Sequence, residues 1–466
     1  MDSTTDQPSD DKGDTDEWGT MTDRPAPNSA PDAAPNAVPI VRTLVRLAIP
    51  SILIGVVSAL VLYGLDAVSG LIDDGIWTNL PHALGIDPSS GWWIFGVLTL
   101  TGLAVGLVVW LVPGHGGPDT ATTELVAPPL KLGILPSLIV VTVLGLAGGV
   151  SLGPENPIIA INTGILVALL ARLWPRIPSD LIILITAAGT IGALFGTPVA
   201  AALVFTGIVA ALKTGGALWD RLFLPLVAAA AGSITMTLLA HPGFQVPMPA
   251  YDKIQPVDLL SGLVIGVVAT AVGLVAVFLF PVVHRLFHRI GNPVVYITLG
   301  GMVLGVLGAI GGPITLFKGL SQMSELIQSR SNYSGWQLLL IVLVKLVALV
   351  IAASAGFRGG RIFPAVFIGA AVGVLANTLF PSVPMAVAVG CGILGVVLVI
   401  ARDGWIAIFV GVAVTGSVAV LPLLCLVVLP TWLMVSRAPE MRISVPVAVN
   451  EPPVAPSAPA APPSGA

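Results

Sequence analysis

The sequence predicts an all-α, polytopic membrane protein made of two repeated halves whose helices break inside the bilayer. Three observations lead there. Of 466 residues only 9% are charged and 55% are hydrophobic, whereas soluble domains carry about 25% charged residues. Mean hydropathy is +0.98, and a water-soluble particle could not cover itself with so few charges, so a soluble enzyme is excluded. Apolar runs succeed one another almost without interruption from about 41 to 437. Within them, GVSLGPENP (149–157) and GFRGGRIFP (356–364) break the pattern at comparable depth in two halves of similar length. Paired broken helices of this kind are the sequence mark of a midplane binding site in an inverted-repeat transporter.

The elements follow in order. Residues 1–40 form an acidic segment with nine acids and two bases, net −7, which leaves +3 for the remainder. No basic patch is left for nucleic acid. The segment is poor in large apolar side chains and is expected to be disordered. It lacks the basic start and apolar stretch of a signal peptide, so no cleavage is expected. The first membrane half, 41–245, opens with the run 44–71. Arg42 and Arg46 precede it and Asp73, Asp74 and Asp87 follow it, which puts the N-terminus in the cytoplasm. Runs 92–112 and 132–152 come next. Runs 158–173, 181–195 and 198–213 fall short of the roughly 20 residues of a full crossing. Helices that stop at mid-depth are tolerated only against protein or a water-filled cavity. Run 222–240 closes this half.

A loop around Gln245–Asp258 leads into the second half, 246–440. The long run 257–281 ends at Arg285 and Arg289, a second cytoplasmic mark. His284 and His288 lie one helical turn apart there. That spacing suits a metal, but no third ligand is near in sequence, so a solvated helix end is expected and no metal site. Runs 293–310, 336–356, 362–380 and 384–401 follow, with Lys345 as an intramembrane cation. The run 404–435 is too long for one span and should break near Gly416 or Pro422. Arg437 and Arg442 put the C-terminus in the cytoplasm, and 441–466 is a Pro/Ala-rich tail expected not to fold. Cys391 and Cys425 lie in apolar runs, as free buried thiols do. No phosphate-binding glycine loop and no HExxH occurs, and GVSLG (149–153) matches GxSxG only as a string, since it follows an apolar helical run and not a strand. A nucleotide-driven pump and an intramembrane enzyme therefore have no support, and no cofactor is expected.

Glu155 is the most informative residue. It stands in GPENP with apolar runs on both sides and no base nearby in sequence. An isolated intramembrane carboxylate is costly to ionise and marks an ion or proton path. The alternative is a loop carboxylate at the lipid–water interface. Pro157 can start a helix, and a helix N-terminus aimed into the membrane offers unpaired N–H groups and partial positive charge to an anion. GHGGP (114–118) and GGRIFP (359–364) share the glycine-then-proline layout. Three such ends converging would attract an anion without a buried full charge.

These residues resemble the CLC family of chloride channels and proton-coupled chloride exchangers. GVSLGPENP resembles the family's glycine–basic–Glu–glycine–proline motif and GHGGP its earlier glycine–serine–glycine–isoleucine–proline motif. FGTPVAAALVF (195–205) is similar to its small-residue segment, and KLVALVIAASAGFRGGRIFPAVFIGA (345–370) to its Lys-led helix and glycine-x-phenylalanine-x-proline motif. The four occur in the family's order over about 41–437. The resemblance implies a homodimer of two independent pores in the inner membrane, carrying chloride or another small anion, with protons as a second cargo in the exchangers. It implies that Glu155 is the protonatable gate. It implies anion contacts from His115, Gly116 and Gly117, from Asn156, and from Gly360, Arg361 and Ile362, with the amides of Arg361 and Ile362 at the central anion. An organic-anion or fluoride transporter is the alternative.

The sequence departs from the family at several points. His115 replaces a serine, offering the anion an imidazole whose charge depends on pH; a histidine merely hydrogen-bonded at a helix end is the alternative. Pro154 replaces the basic residue before the glutamate, and Arg358 and Arg361 add charge in the other broken segment. No acid stands near Gly207–Ile208, where the family's inner carboxylate would fall. All four tyrosines (Tyr63, Tyr251, Tyr296, Tyr333) precede the final helices, so the late tyrosine at the anion has no counterpart. Both absences bear on proton coupling and anion preference.

Overall fold

The computed structural model describes residues 37–175, 177–211, 217–240 and 243–443. The disorder expected of the acidic head (1–36) and of the tail from 444 onward therefore lies outside the described residues. At both borders folded structure reaches further than the sequence implied. The first helix begins at Ala37, and Met441 is buried while Ile443 N–H bonds to Ala121 O at 2.8 Å.

Sixteen α-helices occur among the described residues. In the first half these are α1 (Ala37–Asp74), α2 (Leu80–Leu84), α3 (Gly91–Leu111), α4 (Leu135–Ala147), α5 (Glu155–Leu173), α6 (Ser179–Phe195), α7 (Pro198–Ala211) and α8 (Leu218–Ala240). The second half has α9 (Pro256–His288), α10 (Pro293–Gly311), α11 (Leu320–Gln328), α12 (Gly335–Ser354), α13 (Ile362–Leu379), α14 (Met385–Ala401), α15 (Gly404–Thr415) and α16 (Leu421–Val435). Nine helical segments among the described residues are long and apolar enough to cross a membrane, so the protein is a multi-pass membrane protein. The run 404–435 does break, and it breaks at Gly416, with Pro422 falling at the second position of α16.

Contacts between helices repeat from one half to the other. Helix α1 packs on α4, α6 and α8, and α9 packs on α12, α14 and α16. The neighbours α3–α4, α5–α6, α6–α7 and α7–α8 recur as α10–α12, α13–α14, α14–α15 and α15–α16. Only the short α2 and α11 fall outside this pairing. The halves touch through equivalent members, α3 on α10 and α7 on α15, as an internal two-fold axis requires. At the first of these seams both helices carry GxxxG, Gly102/Gly106 against Gly301/Gly305. A Cβ on Gly301 would lie 2.4 Å from Leu98 O and one on Gly102 2.8 Å from Ile297 O. With no side chain between them the backbones approach closely, which is how helices associate where lipid offers no hydrophobic drive.

The core lies around α13 and α14, where every residue of 362–374 and 385–400 is buried. A helix apolar all round is stable only when protein covers all of it. Over those residues both helices are covered by protein, so the first turn of α13 can begin inside the molecule.

Candidate functional site

The two broken segments meet at the centre. Gly153 N–H donates to Gly360 O at 2.8 Å and Gly360 N–H donates to Gly153 O at 2.6 Å, a two-residue antiparallel bridge. It sets the N-termini of α5 and α13 face to face. Both helices begin alike, Glu155-Asn156-Pro157 and Ile362-Phe363-Pro364, with proline at the third position, where a helix needs no N–H donor. Glu155 opens α5 and is 1% exposed. Its Oε1 accepts the Phe363 N–H at 2.8 Å, so the carboxylate itself sits as the anion on the start of α13. Its Oε2 is buried without a hydrogen-bond partner. A Cβ on Gly360 would stand 2.0 Å from that oxygen and one on Gly153 2.1 Å from it. Only glycine at both positions leaves the carboxylate its seat.

The surroundings differ on the two sides. Phe363 belongs to an aromatic cluster with Phe195, Phe244 and Phe409, at ring separations of 5.2–5.9 Å. On the other side a cavity of about 280 Å³ is lined by Asn156, Arg361 and Ile362 together with Glu124, Arg402 and Arg442. Arg442 pairs with Glu124 and, at 3.4 Å, with Glu440, and Arg402 is spent on the carbonyls of Val435 and Ala438. Arg361 differs: its Nη1 is buried with no hydrogen-bond partner. Thus Glu155, Asn156, Gly360, Arg361 and Ile362 gather at one place. Phe363 was missed by sequence reasoning, although its position one residue further along the same motif was the available signal.

The third expected helix end is a correction. Gly114, His115, Gly116 and Gly117 all take positive φ (92°, 51°, 68° and 71°), which an α-helix cannot accommodate. The next helical turn starts only at Leu132. Gly116 N–H donates to Ser137 Oγ (3.2 Å) and Gly117 N–H to Gly114 O (2.8 Å), so neither amide is left for an anion. His115 is exposed, with Nδ1 2.8 Å from Val109 O at the end of α3, the helix-end alternative. Two helix ends converge, not three. Where the third was expected stands buried Arg358, donating to Gly116 O (3.1 Å), Gly117 O (3.2 Å) and Gly356 O (2.6 Å).

Two other groups are held by contacts between distant segments. Lys345 is fully buried and donates to three successive carbonyls, Thr315, Leu316 and Phe317, at 2.7–3.0 Å. It ties the connection between α10 and α11, from the end of a 3₁₀ turn at Thr315 to Phe317, to α12. His284 and His288 do have a third neighbour, Asp119, from 165 residues away in sequence. Its Oδ2 lies 3.3 Å from both Nε2 atoms, and Arg358 Nη1 is 3.9 Å from its Oδ1. Burial alone would raise the Asp119 pKa, but the bonds from both imidazoles and the Arg358 charge outweigh it and hold the carboxyl well below the usual range.

The profile of a family described as voltage gated chloride channel matches residues 97–435. The chain is 46% identical over 403 residues to YfeO of Escherichia coli K12 (DH10B), named as an ion-transport protein, covering 86% of this chain and 96% of that one. Against the same protein of strain CFT073 it is 47% identical over 401 residues, with the same coverage. Among solved structures it is similar to a CLC-type fluoride/proton antiporter (TM-score 0.66, 21% identity, covering 85% of this chain and 97% of that one). It is also similar to a slow cyanobacterial Cl⁻/H⁺ antiporter (TM-score 0.69, 18% identity, 83% and 94%). At these identities the likeness concerns the fold.

Proposed function

The chain belongs to the voltage gated chloride channel (CLC) family, and with anion transport across a membrane as the premise we propose that its cargo is chloride and its gate Glu155. The observation that carries this reading is the Glu155 carboxylate on the Phe363 amide. A helix start that holds a carboxylate will hold a chloride in its place, since both are bound by the same unpaired N–H groups and end charge. Deprotonated, Glu155 competes with the anion. Protonated, it loses the charge that binds it there, swings out, and gives the amide to the anion. Arg361 lines the cavity side with Asn156 and Ile362 and brings positive charge to it. The four phenylalanines cover the other side, so the path opens only when the carboxyl and the rings move.

Each pore combines the halves 41–245 and 246–440, and two chains form a dimer in the inner membrane with both termini in the cytoplasm. Solved relatives of the fold exchange chloride or fluoride for protons, and fluoride is the second reading of the cargo. The family's inner carboxylate has no counterpart near Gly207–Ile208, which favours weakly coupled or passive passage. The test is anion flux from liposomes with internal pH recorded, for wild type and Glu155→Gln, in chloride, fluoride and nitrate. Glu155→Gln abolishes the pH dependence of flux; flux indifferent to the substitution overturns the gate. Protons driven uphill by an anion gradient overturn passive passage.

A further inference from the structure

We propose that Asp119, His284 and His288 form a binding site for a divalent transition metal ion of borderline softness, Zn²⁺ or Co²⁺ in kind. The proposal is independent of the cargo and gate reading, because none of the three residues contacts Glu155 or lines its cavity.

Four observations carry it. First, the donor set is two imidazoles and a carboxylate, which suits such ions. The histidines stand at i and i+4 on the last turns of α9, and any two of the three donor atoms lie within 4.8 Å. Second, Asp119 Oδ2 is 3.3 Å from each Nε2. Ligands bound at 2.0–2.1 Å in a tetrahedron sit about 3.3–3.4 Å apart, so two edges of that polyhedron already have the required length. The soft terminal torsions of the imidazoles adjust the third.

Third, the outer contacts orient the ligands. His288 Nδ1 lies 3.0 Å from His284 O, a bond that keeps a proton on Nδ1, so that Nε2 is the nitrogen a metal would take in exchange for the proton shared with Asp119. Asp119 Oδ1 accepts the Ala121 N–H at 3.0 Å and faces Arg358, which leaves Oδ2 as the coordinating atom. Arg358 does not depend on Asp119, since its guanidinium already meets the carbonyls of Gly116, Gly117 and Gly356. The other titratable neighbours are Tyr296, with its ring 4.8 Å from that of His288, and Arg361, whose charge also acts on Asp119. Fourth, the site is reachable. The side chains of His284, His288 and Asp119 are 11%, 32% and 19% exposed, which gives an entry path and leaves the fourth coordination position to water or a small ligand. A bound ion would clamp the glycine loop of the first half to α9 of the second.

The experiment adds Co²⁺ to the metal-stripped full chain, purified without a histidine tag, and follows the visible d–d absorption of four-coordinate cobalt. One Co²⁺ per chain is expected to saturate the band, and Zn²⁺ to abolish it by displacement. Changes outside the coordination sphere typically cost 10–100-fold in metal affinity, so His284→Gln, His288→Gln and Asp119→Asn each weaken Co²⁺ by more than about 100-fold. X-ray absorption of the zinc-loaded wild type gives a variant-independent check: a shell of nitrogen and oxygen donors near 2.0–2.1 Å with two imidazoles. No stoichiometric band in the wild type, wild-type affinity in His288→Gln, or a zinc shell without imidazole overturns the proposal.

Discussion

At the scale of single residues the proposed gate rests on a competition for one amide. The Glu155 Oε1 to Phe363 N–H bond of 2.8 Å is charge-assisted, and such bonds contribute about 1.5–3 kcal/mol. Removing it should therefore raise anion occupancy of the site roughly 10- to 100-fold. With Glu155 as the proposed gate, an ionised carboxylate would exclude the anion and a protonated one would not, so wild-type flux is expected to rise as pH falls and Glu155→Gln to give high flux at every pH. Gly360→Ala separates the seat from the acid. Its Cβ would lie 2.0 Å from Glu155 Oε2 and 2.5 Å from the carboxyl carbon, so it evicts the flexible end of the side chain while leaving the acid in the protein. Liposome flux for Gly360→Ala is expected to match Glu155→Gln at neutral pH; flux with wild-type pH dependence would show that the carboxylate does not need this seat. Glu155 was legible from sequence because a lone acid in an apolar run is costly to keep there without an ion or proton to serve. Phe363 was not, because an amide carries no side-chain signal and only the phase of α13 directs it to the carboxylate.

At the scale of elements, helices that end at mid-depth need their loose backbone groups satisfied. Lys345 does this for the strap at 315–317 with three bonds to carbonyls. Lys345→Met leaves those acceptors buried and unpaired, at about 1–3 kcal/mol each, so thermal unfolding in detergent should move down by at least about 3 kcal/mol. A variant of unchanged stability but altered flux would assign the lysine to the pore potential instead. The seam between α3 and α10 is equally exacting. A side chain at Gly301 meets the backbone carbonyl of Leu98 at 2.4 Å, which rotamers cannot relieve, and Gly301→Leu should destabilise by about 1–3 kcal/mol or more in the same melt. The short run 181–195 did correspond to a short helix, α6, whereas α5 extends the run 158–173 back to Glu155 and so becomes long enough to cross. GHGGP resembled them only as a string, and its four positive-φ residues make a loop closed on itself and on Arg358.

At the scale of the whole molecule, the two halves are one packing scheme used twice, with the site where equivalent broken helices face each other across the internal axis. Light scattering in detergent is expected to give twice the 47.6 kDa of one chain. A cysteine introduced as Ser457→Cys, in a chain with Cys391 and Cys425 replaced, should react with an impermeant maleimide in inverted vesicles and not in intact cells; labelling from outside would reverse the orientation. The sequence by itself determined the membrane solvent, the helical class, the doubling and the acid at the centre, because few charges, long apolar runs and paired Gly/Pro breaks are local properties of the chain. Tertiary structure alone decided which amide receives the carboxylate, that Arg358 replaces a third helix end, and that Asp119 joins two histidines, the nearer of them 165 residues away. Those facts depend on backbone direction and on contacts between distant segments, and neither is written in the spacing of residues along one strand of chain.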